Sequence, residues 1–142
     1  MKTHRTLFYE YVMLYRPYIN KLNEWLAPFH LYASQWSILS HLWQQGGQTV
    51  SEISLHKKVE KPTTTKMVQR LLELELVEVT SGRDKRTKTI QISDYGLDIC
   101  QQIEEKISEY QAYLLEDFSE EEQELVIRVL QNVSEKIGKG KG

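Results

Sequence analysis

TVSEISLHKKVEKPTTTKMVQRLLELELVEVTSGRDKRTKTIQIS, residues 49–93, decides the fold. Thr49-Val50-Ser51-Glu52 is a capping box: the Thr49 hydroxyl accepts from the amide three residues on while Glu52 reaches back, opening a short helix that ends near Lys57 or Lys58. Lys61-Pro62 starts the next helix, since proline is tolerated in a first turn where no amide partner is needed. Its inward stripe is Thr64, Met67/Val68, Leu71 and Leu74, and its outward face shows Thr63, Lys66, Gln69/Arg70 and Glu73. The period then changes to two. Val77–Thr80 reads as a strand, Ser81-Gly82-Arg83-Asp84-Lys85-Arg86 as a loop, and Lys88–Ile92 as the antiparallel return.

Outward from that stretch the chain is helical. Leu7, Tyr11, Leu14/Tyr15, Tyr18, Leu22, Trp25/Leu26 and Phe29 recur at three-and-four spacing and predict one long helix over 5–29, with Pro17 inside to kink it or remove one hydrogen bond. A second helix, about 34–45, aligns Trp36, Leu39 and Leu42/Trp43 and ends at Gly46-Gly47. Ser93 caps a helix with Ile99/Cys100, Ile103, Ile107, Tyr110 and Leu114 in line. Ser119-Glu120-Glu121-Glu122 is a second capping box, before Leu125/Val126, Val129/Leu130, Val133 and Ile137. The expected fold is mainly α with a small β-hairpin wing (α+β). A winged helix-turn-helix lobe at 34–92 is flanked by helices at 1–30 and 93–137, with a flexible tail at 138–142, all within a single domain of 142 residues.

Two short helices, a helix with a polar outer face and a basic hairpin suit duplex DNA. A helix fits the major groove, and Thr, Lys, Gln and Arg side chains read the donors and acceptors of base edges. A tip with Arg83, Lys85 and Arg86 reaches the adjacent backbone or a narrow minor groove, where the negative potential favours guanidinium. A solvated helix face and a solvated turn explain each element alone, but their succession within 40 residues favours function.

The charge follows the same division. The net charge is −2, yet residues 57–90 carry Lys57, Lys58, Lys61, Lys66, Arg70, Arg83, Lys85, Arg86 and Lys88 against five acidic residues, while 91–137 are strongly acidic. One face is set to meet an anion and another to repel it. About two-fifths of the chain is apolar, which excludes disorder as the main state. The lone cysteine, Cys100, excludes a disulfide framework within the chain. The N-terminal stretch is striped and carries Glu10, unlike a secretory segment, and no apolar run is long enough to span a membrane, so a cytoplasmic location is expected.

Over about residues 7–137 the chain resembles the MarR family of bacterial transcriptional regulators. The resemblance is most specific in SQWSILSHLWQQGG (34–47), TVSEIS (49–54), KPTTTKMVQRLLELELVE (61–78) and SGRDKRTKTIQISDYG (81–96). In the last, Asp84 and Arg86 fill an Asp-x-Arg wing signature, and Ser93 and Gly96 fill the Ser-x-x-Gly helix start. The resemblance implies a homodimeric repressor or activator, with a repressor the expectation, whose recognition helices enter successive major grooves of a pseudo-palindrome. Thr63, Thr65, Lys66 and Gln69 fall on the recognition helix, with Arg70 on the same outward face. Arg86 falls on the wing arginine, flanked by Arg83, Lys85 and Lys88, and Asp84 on the carboxylate that steadies the wing. There are departures: Lys58 stands where the turn usually has Gly, Glu60 where the recognition helix has a Ser or Thr cap, and Glu75 where Gly commonly precedes Leu76-Val77.

Apolar stripes at both ends of the chain are buried most fully against a second copy, and the family's dimer interface uses the same helices. The alternative, that they fill a monomeric core, stands beside it. Family members often bind a small molecule between the dimerising helices and the DNA-binding lobe, so a small aromatic or amphipathic effector walled by Tyr11, Tyr15, Trp25 and Trp36 is an expectation; ordinary packing is the competing account of those rings. Peroxide-sensing relatives carry a reactive cysteine near the N-terminal helix, where this chain has none; Cys100 lies on an apolar stripe and reads as an inert buried thiol. His4, His30, His41 and His56 are scattered without ligand spacing, so no metal and no cofactor is expected, and His41 reads as packing or surface. No catalytic motif appears, so an enzyme is not expected. The competing function is a winged-helix adaptor that binds a protein partner and has no DNA binding.

Overall fold

The computed structural model describes residues 2–81 and 86–140. Helix α1 (Thr3–Leu26) leads through a 3-10 turn (Ala27–Phe29) to α2 (Ala33–Gln45), α3 (Val50–Lys57) and α4 (Lys61–Glu73). Strands β1 (Val77–Ser81) and β2 (Lys88–Ile92) pair antiparallel, with Val77 opposite Ile92 and Ser81 opposite Lys88. Helices α5 (Asp94–Leu114) and α6 (Glu120–Gly138) complete the chain. The mainly α fold with a hairpin is the one expected from sequence.

The chain divides into two compact units, one ending at Ile107 and one starting at Ser108. The core of the first is one apolar cluster in which Leu26, Leu39, Leu42, Ile53, Leu71 and Ile103 are almost wholly enclosed. Both capping boxes form: Thr49 Oγ1 accepts from the Glu52 amide at 3.1 Å, and Ser119 Oγ accepts from the Glu122 amide at 3.1 Å. Stripe residues Thr64, Val68 and Leu71 of α4 and Ile99, Cys100, Ile103 and Ile107 of α5 are buried, so the three-and-four spacing chose the correct faces.

The first helix differs from the expected 5–29. Pro17 lies inside it without ending it, but α1 stops at Leu26 and tightens to a 3-10 turn at Pro28, which offers no amide hydrogen. The chain then reverses at His30, in the left-handed region at φ 62°. The α2 amide of Ala33 donates to Asn23 Oδ1 of α1 at 2.7 Å, fixing the return.

A contact invisible to local pattern holds the hairpin. Gln48, between α2 and α3, pairs with Ile90 of β2 in both directions: its amide donates at 2.9 Å and its carbonyl accepts at 2.7 Å. Gly47 eases the approach, because a Cβ there would lie 2.8 Å from Thr89 Cγ2 and displace that side chain. The wing is therefore fastened at its base to the turn that precedes α3.

Candidate nucleic-acid interface

Helix α4 presents the polar row expected of it. Thr63, Lys66, Gln69 and Arg70 are exposed, and Thr65 is half-buried. Two of these side chains are already engaged. The Thr65 hydroxyl donates to the Lys61 carbonyl at 2.9 Å, and Arg70 Nη1 pairs with Glu73 Oε2 at 3.2 Å. The helix begins without a side-chain cap: the Glu60 carboxylate makes no capping bond, and only the backbone carbonyl of Glu60 is used, accepting from the Thr64 hydroxyl at 3.1 Å. The Glu60 carboxylate is exposed at the end of the helix that points its amides outward.

The departures from glycine at Lys58 and Glu75 do not relax the backbone. Lys58 has φ 57° and Glu75 φ 60°, so both hold the left-handed conformation that a glycine would adopt without strain. Lys58 turns α3 into α4, and Glu75 turns α4 into β1. Beside the first of these turns, a shallow exposed surface gathers Ser51, Leu55, Lys58, Glu60 and Lys61. Lys58 and Lys61 there add cations next to the polar row. Sequence reading set Lys61 beside Glu60 near the phosphates but only counted Lys58 in the basic segment.

On the wing, Arg86 is exposed at the return into β2, and Lys88 is exposed at its first position. Arg83, Asp84 and Lys85 lie outside the described residues. Described cations thus lie at the start of α4 (Lys58 and Lys61), along its outward face (Lys66 and Arg70) and on the hairpin (Arg86 and Lys88).

The four aromatic residues expected around an effector do not converge. A cleft of about 550 Å³ lies between α1, the start of α2 and the α3–α4 turn, lined by Tyr15, Tyr32, Ser34, Ser37, Lys57 and Met67 among others. Of the expected residues only Tyr15 lines it. Trp36 is 7% exposed in the core, on the inward face of α2. Trp25 stacks its ring beneath Lys21 Nζ at 5.6 Å, and Tyr11 is exposed on α1. Three-and-four spacing identified a common face but not which turns of it border empty space. Lys57 was the missed residue: burial in the cleft wall holds its pKa below the ordinary lysine value.

The histidines are also redistributed. His41 is 4% exposed, and His56 of α3 stacks on it with ring centroids 4.1 Å apart. Fifteen residues of sequence hid that pairing, because it depends on how α2 crosses α3. Among the described residues, no group of three or more His, Cys, Asp or Glu side chains is placed to hold a metal ion. Cys100 is buried, and that burial, with Glu104 nearby, pushes its thiol up to about 12. Among the described residues, no helix is long and apolar enough to cross a membrane.

Large apolar side chains are exposed at both ends of the chain. They include Leu7, Phe8, Val12 and Leu14 on α1, and Leu125, Val126, Ile127 and Leu130 on α6. Within the unit from Ser108 on, Leu115, Phe118 and Val126 line an apolar hollow of about 480 Å³.

Comparison with known proteins gives concordant results. A sequence model of the MarR family matches residues 31–88. The uncharacterised HTH-type transcriptional regulator YwoH of Bacillus subtilis is 38% identical over 104 residues, covering 73% of this chain and 76% of that protein. Staphylococcus aureus MarR in complex with salicylate and kanamycin superposes with a TM-score of 0.86 at 25% identity, covering 97% of this chain and 94% of that one. The S. aureus MepR–DNA complex superposes with a TM-score of 0.84 at 21% identity, covering 96% and 99%, which is a likeness of fold.

Proposed function

The chain belongs to the MarR family of transcriptional regulators, and from that premise we propose that it binds double-stranded DNA as a homodimer, acts as a repressor on a pseudo-palindromic operator, and is released by a small amphipathic effector. The observation that carries the DNA reading is the exposed row Thr63, Lys66 and Gln69 on α4, with Lys58 and Lys61 at its start and Arg86 and Lys88 on the hairpin. Such a row offers donors and an amide to base edges while the flanking cations neutralise phosphates. The Gln48–Ile90 pairing supports it by holding the base of the hairpin against the turn that precedes α3. Asp84, with Arg83 and Lys85, completes the wing in this reading.

The homodimer reading is supported by the apolar side chains that a single chain leaves exposed on α1 and α6. Covering them is the favourable term of association. In this reading 34–92 is the DNA-binding lobe, and 1–30 and 93–137 are the dimerisation helices of one functional domain. The effector reading is supported by the cleft at Tyr15, Tyr32 and Lys57, whose half-buried ammonium suits the charge of an amphipathic anion. Salicylate is bound by the S. aureus MarR that this chain resembles in structure.

The test is selection of duplexes from sheared genomic DNA of the source organism, with Arg86→Ala in parallel. Sedimentation of the free protein gives the assembly state. Recovery of a short pseudo-palindrome by a two-chain species supports the reading. Binding through roughly six to ten phosphates also predicts an affinity loss of about 10³–10⁵ between 50 and 200 mM salt. Folded protein that retains no duplex at any salt would favour the protein-partner adaptor, and a monomer would remove the palindrome.

A further inference from the structure

His41, His56 and Gln48 form a connection that packing alone does not require. His41 belongs to α2, His56 to α3, and Gln48 to the turn between them. His41 Nε2 lies 2.7 Å from Gln48 Oε1. An amide oxygen only accepts, so in this pair the ring nitrogen is the donor. The same Gln48 holds β2 through both of its backbone bonds to Ile90. One line of contacts therefore runs from α3, which leads into α4, through the stacked rings of His56 and His41 to the base of the wing.

We propose that the stacked His41–His56 pair is a proton-operated latch in the DNA-binding lobe: a proton taken up by the pair loosens the connection from α3 to the wing and lowers affinity for duplex DNA. Two neutral imidazoles stack at 4.1 Å without penalty, whereas a charged ring there lies against a neighbour that is itself largely removed from water. The surroundings offer little compensation. Helix α2 carries no charged residue and no titratable one besides His41, and the turn 46–49 carries none. Helix α4 turns uncharged Thr64, Val68 and Leu71 inward. On α3 the charged groups are Glu52, Lys57 and, at its end, Lys58; on β2 there is Lys88 at its exposed start. The only carboxylate among these, Glu52, is held by the Thr49 amide at 3.0 Å.

The sign follows from the same groups. Repulsion from the stacked His41, with lesser contributions from lost hydration where the rings meet and from Lys57, holds the pKa of the exposed His56 below the ordinary histidine value of about 6.5. The closed lobe thus binds this proton less tightly than an opened one. Its stability is complete above about pH 6.5 and declines as the pH falls below that value. Ordinary surface histidines act in the opposite direction, because added positive charge strengthens binding to a polyanion. A decline in DNA affinity on acidification is therefore diagnostic.

The proposal rests on the DNA-binding reading above, so its test has an arm without DNA. Affinity for a fluorescent duplex recovered by the wild-type protein is measured at about pH 7.5 and about pH 5.5, on either side of the ordinary histidine value. Wild type is compared with His56→Gln, His41→Gln and the control His4→Gln, and thermal unfolding midpoints are recorded for each at both pH values. Expected is a clear loss of affinity at the lower pH for wild type and His4→Gln alike. The exposed His56 makes His56→Gln the decisive variant even if the buried His41→Gln fails to fold; its affinity should be flat or rise, and its midpoint should drop less than that of wild type. Wild-type affinity that is constant or tighter at the lower pH overturns the latch, as does a His56→Gln profile matching wild type. Failure of wild type to bind any duplex at the higher pH overturns the DNA reading instead. In that case the midpoints decide the latch: a smaller acid-induced drop in His56→Gln supports it, and an equal drop overturns it.

Discussion

The Ser93 hydroxyl donates to the backbone carbonyl of Glu75 over 2.7 Å and accepts from the Gly96 amide at 2.9 Å. One buried side chain thus ties the exit of α4 to the start of α5. Glu75 stands there in the left-handed conformation, and the Ser93 amide donates to the carbonyl of Leu76 at 3.0 Å. The far end of α4 is consequently fixed by the helix that follows the hairpin. The Ser-x-x-Gly start of α5 is a structural joint as well as a cap.

Gly96 is the tightest part of that joint. A Cβ at this position would collide with the carbonyl oxygen of Leu76 and lie 2.8 Å from Ile92 Cγ1. Backbone has little room to yield, so Gly96→Ala should cost about 3 kcal/mol. Ser93→Ala should cost about 1–2 kcal/mol for a lost cap and a lost bond to the Glu75 carbonyl. Urea unfolding measures both, and a loss below about 1 kcal/mol for Gly96→Ala would mean that the joint opens easily.

Glu75→Gly should stabilise the protein. A non-glycine residue in the left-handed region costs about 1–2 kcal/mol, and glycine returns about 0.5–1 of that through greater freedom of the unfolded chain. A net gain of about 0.5–1 kcal/mol is expected, read as a higher urea midpoint with unchanged slope. Lys58→Gly should behave similarly in stability while removing a cation from the exposed α3–α4 surface. A lower midpoint for Glu75→Gly would show that the carboxylate side chain contributes contacts worth more than the backbone strain.

Gln69 and Arg86 should separate base reading from backbone attraction. Gln69 is exposed in the middle of the α4 row, and its amide fits adenine bidentately, so Gln69→Ala should change preference at one base pair by about 1–3 kcal/mol. Arg86→Ala should weaken all duplexes and lower the magnitude of the salt slope by about one. Competition binding against single-base variants of the selected duplex measures both effects. An unchanged selected sequence for Gln69→Ala would remove it from base recognition.

Cys100 should be chemically silent in the folded protein. With its thiol pushed up to about 12, the reactive thiolate is scarce at neutral pH, and the side chain is buried as well. A chromogenic disulfide reagent at about pH 8, near the ordinary thiol value, should react only on the timescale of unfolding and immediately in denaturant. Prompt reaction with native protein would restore a redox role.

Elements and their inward faces were legible because they depend on neighbours within a few residues. Thr49 and Ser119 announced their capping boxes, Lys61-Pro62 opened α4, and the change of period at Val77 announced the hairpin. The outward row of α4 was legible for the same reason: once Thr64, Val68 and Leu71 face the core, helix geometry puts Thr63, Lys66 and Gln69 outside. Even the departures at Lys58 and Glu75 were visible as residue types, although only φ values showed that the backbone still makes the turn a glycine would ease.

What the tertiary structure alone decided lies between elements distant in the chain. No local rule pairs Gln48 with Ile90, stacks His41 on His56, brings Ser93 to the carbonyl of Glu75, or turns Trp36 into the core while Lys57 joins Tyr15 at a cleft. Periodicity tells a side chain which way to point, but its partner is set by how two helices cross and where a turn returns. Those quantities are fixed by packing the whole core at once. The sequence by itself therefore determined the elements, the outward row of α4 and the family. The folded chain determined the joints that hold α4 and the wing in register, and with them the residues through which that register can be changed.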